Sequence, residues 1–319
     1  MGELPLVCMI DDGAPCINLY WWHASEAQKT DKPLQNSGEP VLKRIPIDFL
    51  NEFVDVVKRW GIKGKFSFVP YPAGLGSIAD KLEDYPKDEM DLWIRIVKEE
   101  LIPLFDITPE ILTHAKTLDL STMTLLEENE REWSRHQTRE SLTPYITYAL
   151  RILKDVGIDA NGVTSPWDFG VDVEEEYRIS ILNAQKEVYG RGQTWYFLHM
   201  RTDDTIFHSR VFHPTGRKDE WVVSIVSQCG DFIWETMDRM DTDDDYVRSI
   251  VDRYMERFSE LIEAGIPVVF HTHWQSLFSN GRRTGLRVLE EIGKEVRERW
   301  SGRVRWTKCS DLAREVVRS

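Results

Sequence analysis

The residues best suited to chemistry are two adjacent carboxylates, Asp11 and Asp12, three separated histidines, His114, His271 and His273, and one further acid, Asp119. Asp11-Asp12-Gly13 follows directly on the apolar run Leu6-Val-Cys-Met-Ile10. Carboxylates at the end of a buried strand are costly unless they are paired, protonated or bound to a cation. Adjacent carboxylates also divide their roles readily, one as a metal ligand and the other as a base. His114 ends a second run, 110–114, and Asp119 lies just beyond it. A third run, 266–270, ends in His271-Thr-His273-Trp274. Imidazole and carboxylate donors brought together from three strands can hold a divalent ion or move protons. Taken singly, each has a structural explanation, as a turn or as a satisfied buried histidine. Together they favour a site. The His-x-His pair is expected to split across the strand, so that at most one of the two faces that site.

The elements that must position these residues alternate along the chain. Short apolar runs fall at 4–10, 65–70, 110–114, 162–165, 195–199, 221–227, 266–271 and 303–306, separated by amphipathic stretches with apolar spacing of three and four. One predicted helix starts at Pro46 and stops at Gly61; another opens with Thr143-Pro144 and stops at Gly157. A third carries Asp243, Asp244 and Asp245 in its first turn and ends at Gly265, and a fourth runs from Leu286 to Trp300. The acidic run 241–245 has no calcium-loop register, so it is read as a helix start. Strand–helix alternation predicts an α/β fold, a distorted, TIM-barrel-like (β/α) barrel of seven or eight strands, in one domain spanning 1–319. Neither GxGxxG nor GxxxxGK[ST] occurs, which removes support for nucleotide-binding folds. Segments 20–45, 71–92 and 200–220 are expected as loops shaping the pocket.

Composition narrows the partners. In 319 residues, 54 acids outnumber 40 bases for a net charge of −14, with no Lys/Arg run, so a nucleic-acid partner is not expected. Four cysteines without CxxC spacing indicate neither a zinc ribbon nor a redox dithiol. No window is apolar enough to span a membrane, and the first residues lack a basic leader region, so a cytoplasmic protein is expected. Nine of the twelve Trp residues fall into two groups. Trp60, Trp93, Trp133 and Trp300 fall in helical patterns. Trp21, Trp22, Trp167, Trp234 and Trp274 follow predicted strands, on the face of the carboxylates, where rings could form a stacking site. His23, after Tyr20-Trp21-Trp22 in the loop that follows the Asp pair, could line a pocket, and the sequence does not determine its position.

The order of these motifs resembles the polysaccharide deacetylase family, the NodB-type barrel of carbohydrate esterase family 4, over most of the chain. That resemblance implies Asp11 as general base and Asp12 as metal ligand. The family's His-[Ser/Thr]-x-x-His motif corresponds to His114-Ala-Lys-Thr-Leu118, which keeps the first ligand and places Leu118 at the second. Asp119 or His273 could supply a third ligand, or there is none. The Arg-x-Pro-x-Gly motif corresponds loosely to the stretch from Thr164 to Gly170, with Pro166 kept and the base-orienting Arg replaced by Thr164. Asp231-Phe-Ile-Trp234 stands for the fourth motif, and Val268-Val-Phe-His271 for the fifth, whose His is the general acid. The resemblance implies a divalent metal, zinc first, and removal of an acetyl group from a carbohydrate or related acylated amide. Oxyanion stabilisation would come from the metal and a backbone N–H near Gly13 or in 71–76. Substrate contacts are expected from Trp22, His23, Pro166, Trp167, Asp231, Trp234 and Trp274. Two alternatives remain open: a glycoside hydrolase pairing Asp11 or Asp12 with Asp168 or Asp231, and a carbohydrate-binding barrel that has lost catalysis.

Overall fold

Runs of apolar residues without polar alternation are buried on both faces, which is the condition of a parallel strand covered by helices. The computed structural model describes residues 2–201, 205–240 and 242–319 and shows that arrangement. Its strands are β1 (Leu4–Asp11), β2 (Gly64–Phe68), β3 (Phe105–Pro109), β4 (Lys116–Asp119), β5 (Thr124–Asn129) and β6 (Gly162–Thr164). They continue as β7 (Gln193–Met200), β8 (Arg210–Phe212), β9 (Trp221–Ser227), β10 (Val268–His273) and β11 (Val304–Trp306). The helices are α1 (Leu19–Gln28), α2 (Ile47–Trp60), α3 (Lys87–Ile96), α4 (Glu130–Ser134) and α5 (Arg139–Asp155). After these come α6 (Glu174–Tyr189), α7 (Asp244–Glu263), α8 (Trp274–Phe278), α9 (Thr284–Trp300) and α10 (Cys309–Arg318).

The parallel strands form two arcs. One has the order β10-β1-β2-β3, with β11 beside the start of β1; the other is β6-β7-β9, edged by antiparallel β8. Single contacts join the arcs. At one seam Glu110 bridges Thr164, and the Ile111 N–H donates to the Thr164 carbonyl at 3.0 Å. At the other, the Gln228 N–H donates to the Val269 carbonyl at 2.8 Å. The two arcs of parallel strands give a distorted, barrel-like α/β arrangement, with single contacts at the seams in place of continuous ladders.

Several boundaries differ from expectation for local reasons. Residues 110–114 are the loop after β3, with left-handed backbone at Ile111 (φ 34°) and His114 (φ 50°). The segment 20–45, expected as a loop, holds α1, which the Asn18 side chain caps by accepting the Tyr20 N–H. Helix α5 starts before Thr143-Pro144 because Thr138 and Ser141 form a capping box. The β4–β5 hairpin and β8 were not anticipated. Asp243 accepts the Tyr246 N–H at 2.7 Å and caps α7, as the helix-start reading requires; Asp241 lies outside the described residues. All four cysteines are buried free thiols. No helix among the described residues is long and apolar enough to cross a membrane.

Close strand packing makes one glycine indispensable. A Cβ at Gly64, on β2, would overlap the Cys8 carbonyl oxygen on β1. Gly64→Ala should cost about 2–3 kcal/mol, the range for forced overpacking. Urea unfolding checks this, and an unchanged midpoint would contradict the packing.

Candidate active site

The site is assembled where β1, β3 and β10 end. Asp11 is the last residue of β1 and lies in register with His273, the last of β10. Asp12 then turns the chain in the left-handed region (φ 65°), which a short polar side chain tolerates. Its N–H donates to Glu110 Oε2 at 2.7 Å. Gly13 follows because a Cβ there would overlap the Ser67 carbonyl oxygen and the Phe66 ring. The loop after β3 carries Glu110 and His114, and the buried Glu130 carboxylate at the start of α4 holds it. That carboxylate accepts the N–H groups of Thr113 and His114, each at 2.9 Å, and the Tyr145 hydroxyl at 2.8 Å. Burial pushes its carboxyl up, while the donors make that burial tolerable.

Three donor atoms converge. His114 Nε2 lies 2.9 Å from Asp12 Oδ1 and 3.3 Å from Glu110 Oε1, and all three side chains are buried. The group's potential ligand atoms lie within 4.8 Å of one another. Asp12 Oδ2 accepts from the Gln275 amide, whereas Oδ1 has no aligned hydrogen bond. A buried carboxylate oxygen without a donor, facing an imidazole nitrogen and a second carboxylate, fits a divalent cation. Burial alone would depress the His114 imidazole, yet the Asp12 and Glu110 carboxylates hold it well above its usual range. Burial likewise opposes ionisation of Asp12, but His114 holds that carboxyl well below the usual range. Glu110 is pushed up to about 7, first by burial and then by Asp12 and Asp11.

This grouping revises the expected ligands. Asp119 sits on β4 and accepts from the Ser121 N–H and hydroxyl at 2.8 and 2.7 Å, outside the cluster. The third member of the group is Glu110. The pair four residues apart that meets Asp12 is thus Glu110 with His114, one turn of the motif earlier than His114 with Leu118.

The expected roles of the two strand histidines also change. Residues two apart on a strand share a face, so the expected split across the strand was wrong. The His271 and His273 rings are 5.8 Å apart, at different depths. His271 is buried beneath the cavity against Ser227 Oγ (2.9 Å), and burial lowers its pKa. His273 lines the cavity, with Nδ1 2.7 Å from Asp231 Oδ2. Burial alone would depress His273, but Asp231 leads the carboxylates that raise it to about 9. Asp11 Oδ1 accepts from the Lys65 ammonium and from Ser67 Oγ at 3.1 Å. Lys65, Glu110 and Gln275 were missed by sequence reasoning, although the four-residue spacing of Glu110 and His114 was a usable signal.

Above these groups is a cavity of about 280 Å³, walled by Trp167, Phe197, Leu198, Met200, Trp234 and His23. Trp167 meets the His114 ring edge-on at 4.5 Å, and Trp234 meets His273 at 4.8 Å. His23 stacks on His114 and shares a 2.7 Å hydrogen bond with its carbonyl; burial drops the His23 pKa to about 4, so it is the neutral donor. Trp274 does not reach the cavity: it is fully buried against Phe49, Phe53 and Phe66. Trp22 packs edge-on against Trp21 under the Lys43 ammonium. Neither Trp22, Pro166 nor any residue of 71–76 lines the cavity. Asp168 pairs with Arg131 at the surface, and Asp231 acts through His273.

The chain has the fold of the polysaccharide deacetylase barrels. A protein from Mycobacterium smegmatis described as a polysaccharide deacetylase shares it at a TM-score of 0.57 and 12% identity, over 99% of this chain and 91% of that one. One so described from Pseudomonas aeruginosa PAO1 gives 0.55 and 11%, over 99% and 91%. Puue allantoinase gives 0.54 and 11%, over 97% and 89%. No family model matches the sequence, and no curated protein matches it.

His273, the other expected candidate, is outside the Asp12–Glu110–His114 group, and Glu110 and Asp119 can be separated by binding. Glu110→Ala should weaken divalent-metal affinity by about 10-fold or more, and Asp119→Ala should leave it unchanged. Titration calorimetry with Zn²⁺ and Mn²⁺ checks both, and the reverse pattern would restore Asp119.

Proposed function

We propose that this chain is a metal-dependent hydrolase that removes an acetyl group from a carbohydrate or a related amide. The observation that carries this reading is the buried Asp12–Glu110–His114 group, which opens on a cavity flanked by Asp11 and His273. Asp12, Glu110 and His114 would hold a divalent ion, zinc first. Such an ion would polarise the acyl carbonyl and acidify a water.

The chain's own residues supply the proton transfers. Asp11 is the base: its Oδ1 is engaged by Lys65 and Ser67, while neither engages Oδ2, which keeps its lone pairs for a proton. His273 is the acid, in place of His271. Asp231 occupies Nδ1 and keeps the ring cationic, so Nε2 can donate to the leaving amine or alkoxide. Trp167 and Trp234, 40% and 37% exposed at the cavity, offer faces for a sugar ring. The glycosidase reading weakens because Asp168 is tied to Arg131 at the surface. The binding-only reading weakens because Glu110 fills the ligand position that Leu118 vacates.

Acetate release from N-acetylated and O-acetylated sugars, measured with Zn²⁺, Mn²⁺ or Co²⁺ added, tests the proposal. Chelation should abolish turnover and metal should restore it. His273→Ala should keep the metal and lose about 100-fold or more in kcat, whereas His271→Ala should cost less. Protein that binds no metal, or turnover that survives chelation, would end this reading.

A further inference from the structure

A lysine with no exposed surface stands at the centre of the strands. Lys65, on β2, is 0% exposed. Its ammonium donates to Asp11 on β1, to Ser67 Oγ at 2.6 Å and to Thr164 Oγ1 on β6 at 2.9 Å. An ammonium has three donors, and these partners use all of them. Thr164 is itself fixed by Thr108 Oγ1 on β3 at 2.9 Å, and the Phe197 ring on β7 lies 5.1 Å from Nζ. One cation thus ties together side chains from β1, β2 and β6, with β3 and β7 behind them. A buried lysine is expensive, and a fold that needed only stability would be served by an apolar residue of similar length. Of the polar groups that bond the ammonium, Asp11 is the one that lines the cavity.

We propose that Lys65 is the positioning residue for Asp11, fixing Oδ1 from β2 so that Oδ2 is presented to the water it deprotonates. This rests on the reading of Asp11 as the base. Position 164 offers only a hydroxyl, but the Lys65 and Thr164 side chains meet at 2.9 Å. A cation long enough to come from β6 would therefore occupy the same place. The role belongs to the location of the charge, whichever strand supplies it.

Three variants of the metal-loaded protein test this. Lys65→Met should lower kcat by about 100-fold, with KM within about threefold and metal content unchanged. Lys65→Met/Thr164→Arg, which returns the charge from β6, should recover about tenfold of that loss. Equal kcat in wild type and Lys65→Met, or loss of metal in step with activity, would overturn the proposal; so would failure of a folded double variant to recover. Should Lys65→Met not fold, Thr164→Val keeps the ammonium and removes one acceptor; an unchanged kcat there would overturn it equally. Absence of turnover in the wild type would defeat the reading of function instead. The positioning claim is then decided by crystal structures of wild type and whichever variant folds: an Asp11 carboxylate that keeps its place without Lys65, or without the Thr164 hydroxyl, refutes it.

Discussion

Three carboxylates, Asp11, Asp12 and Glu110, are held almost wholly out of water at the ends of β1 and β3, which flank β2. Both desolvation and mutual repulsion oppose this, and each buried charge costs several kcal/mol before compensation. Each carboxylate is answered separately. Asp11 has Lys65 and Ser67; Asp12 has His114 and the Gln275 amide. Glu110 has the Asp12 N–H, and in the absence of a cation its raised pKa lets it share in proton uptake near neutrality. Much of the surrounding structure exists to make these answers geometrically possible.

The backbone shows the same demand. Asp12, His114 and Trp167 all take left-handed conformations, at φ 65°, 50° and 49°. Such conformations cost non-glycine residues about 1–3 kcal/mol each and persist only where neighbours over-determine them. For His114 the neighbour is Glu130, whose carboxylate gathers consecutive N–H groups of the loop. For Trp167 the outcome is a ring set against the His114 and His23 imidazoles. Glu130 never reaches the cavity, yet it determines where a candidate ligand sits.

How far the sequence could reveal this depended on the type of signal. Apolar runs and helix stops located β1, β2, β6, β7, β9, β10 and β11 and the four expected helices to within a few residues, because burial on both faces and left-handed caps such as Gly61 leave local marks. The Asp pair was legible for the same reason. Glu110 was not, because it was counted inside an apolar run and its charge was absorbed into a supposed strand. Lys65 opened such a run and passed for a strand boundary. His271 and His273 carry equal local signals; what separates them is depth in the barrel, which only the assembled strands define. Trp274 differs from Trp234 in the same way: one fills the core between α2 and β2, and the other borders the cavity.

The charges of the assembled site close on themselves. Asp11 is matched by Lys65, and Asp231 by His273. With a divalent ion bound, Asp12 and Glu110 would carry two formal negative charges beside a neutral imidazole, the complement of that ion. Without that ion, the raised pKa values of His114 and Glu110 let protons supply the positive charge. A ligand set with imidazole in place of Glu110 would leave one positive charge unmatched in a cavity otherwise walled by Trp167, Phe197, Leu198, Met200 and Trp234. In so apolar a setting an unmatched charge is costly. The same accounting bears on the substrate. Among the described residues no Lys or Arg lines the cavity, and its histidines are either neutral or already paired. A ligand that brings its own negative charge would find no lysine or arginine side chain among these lining residues.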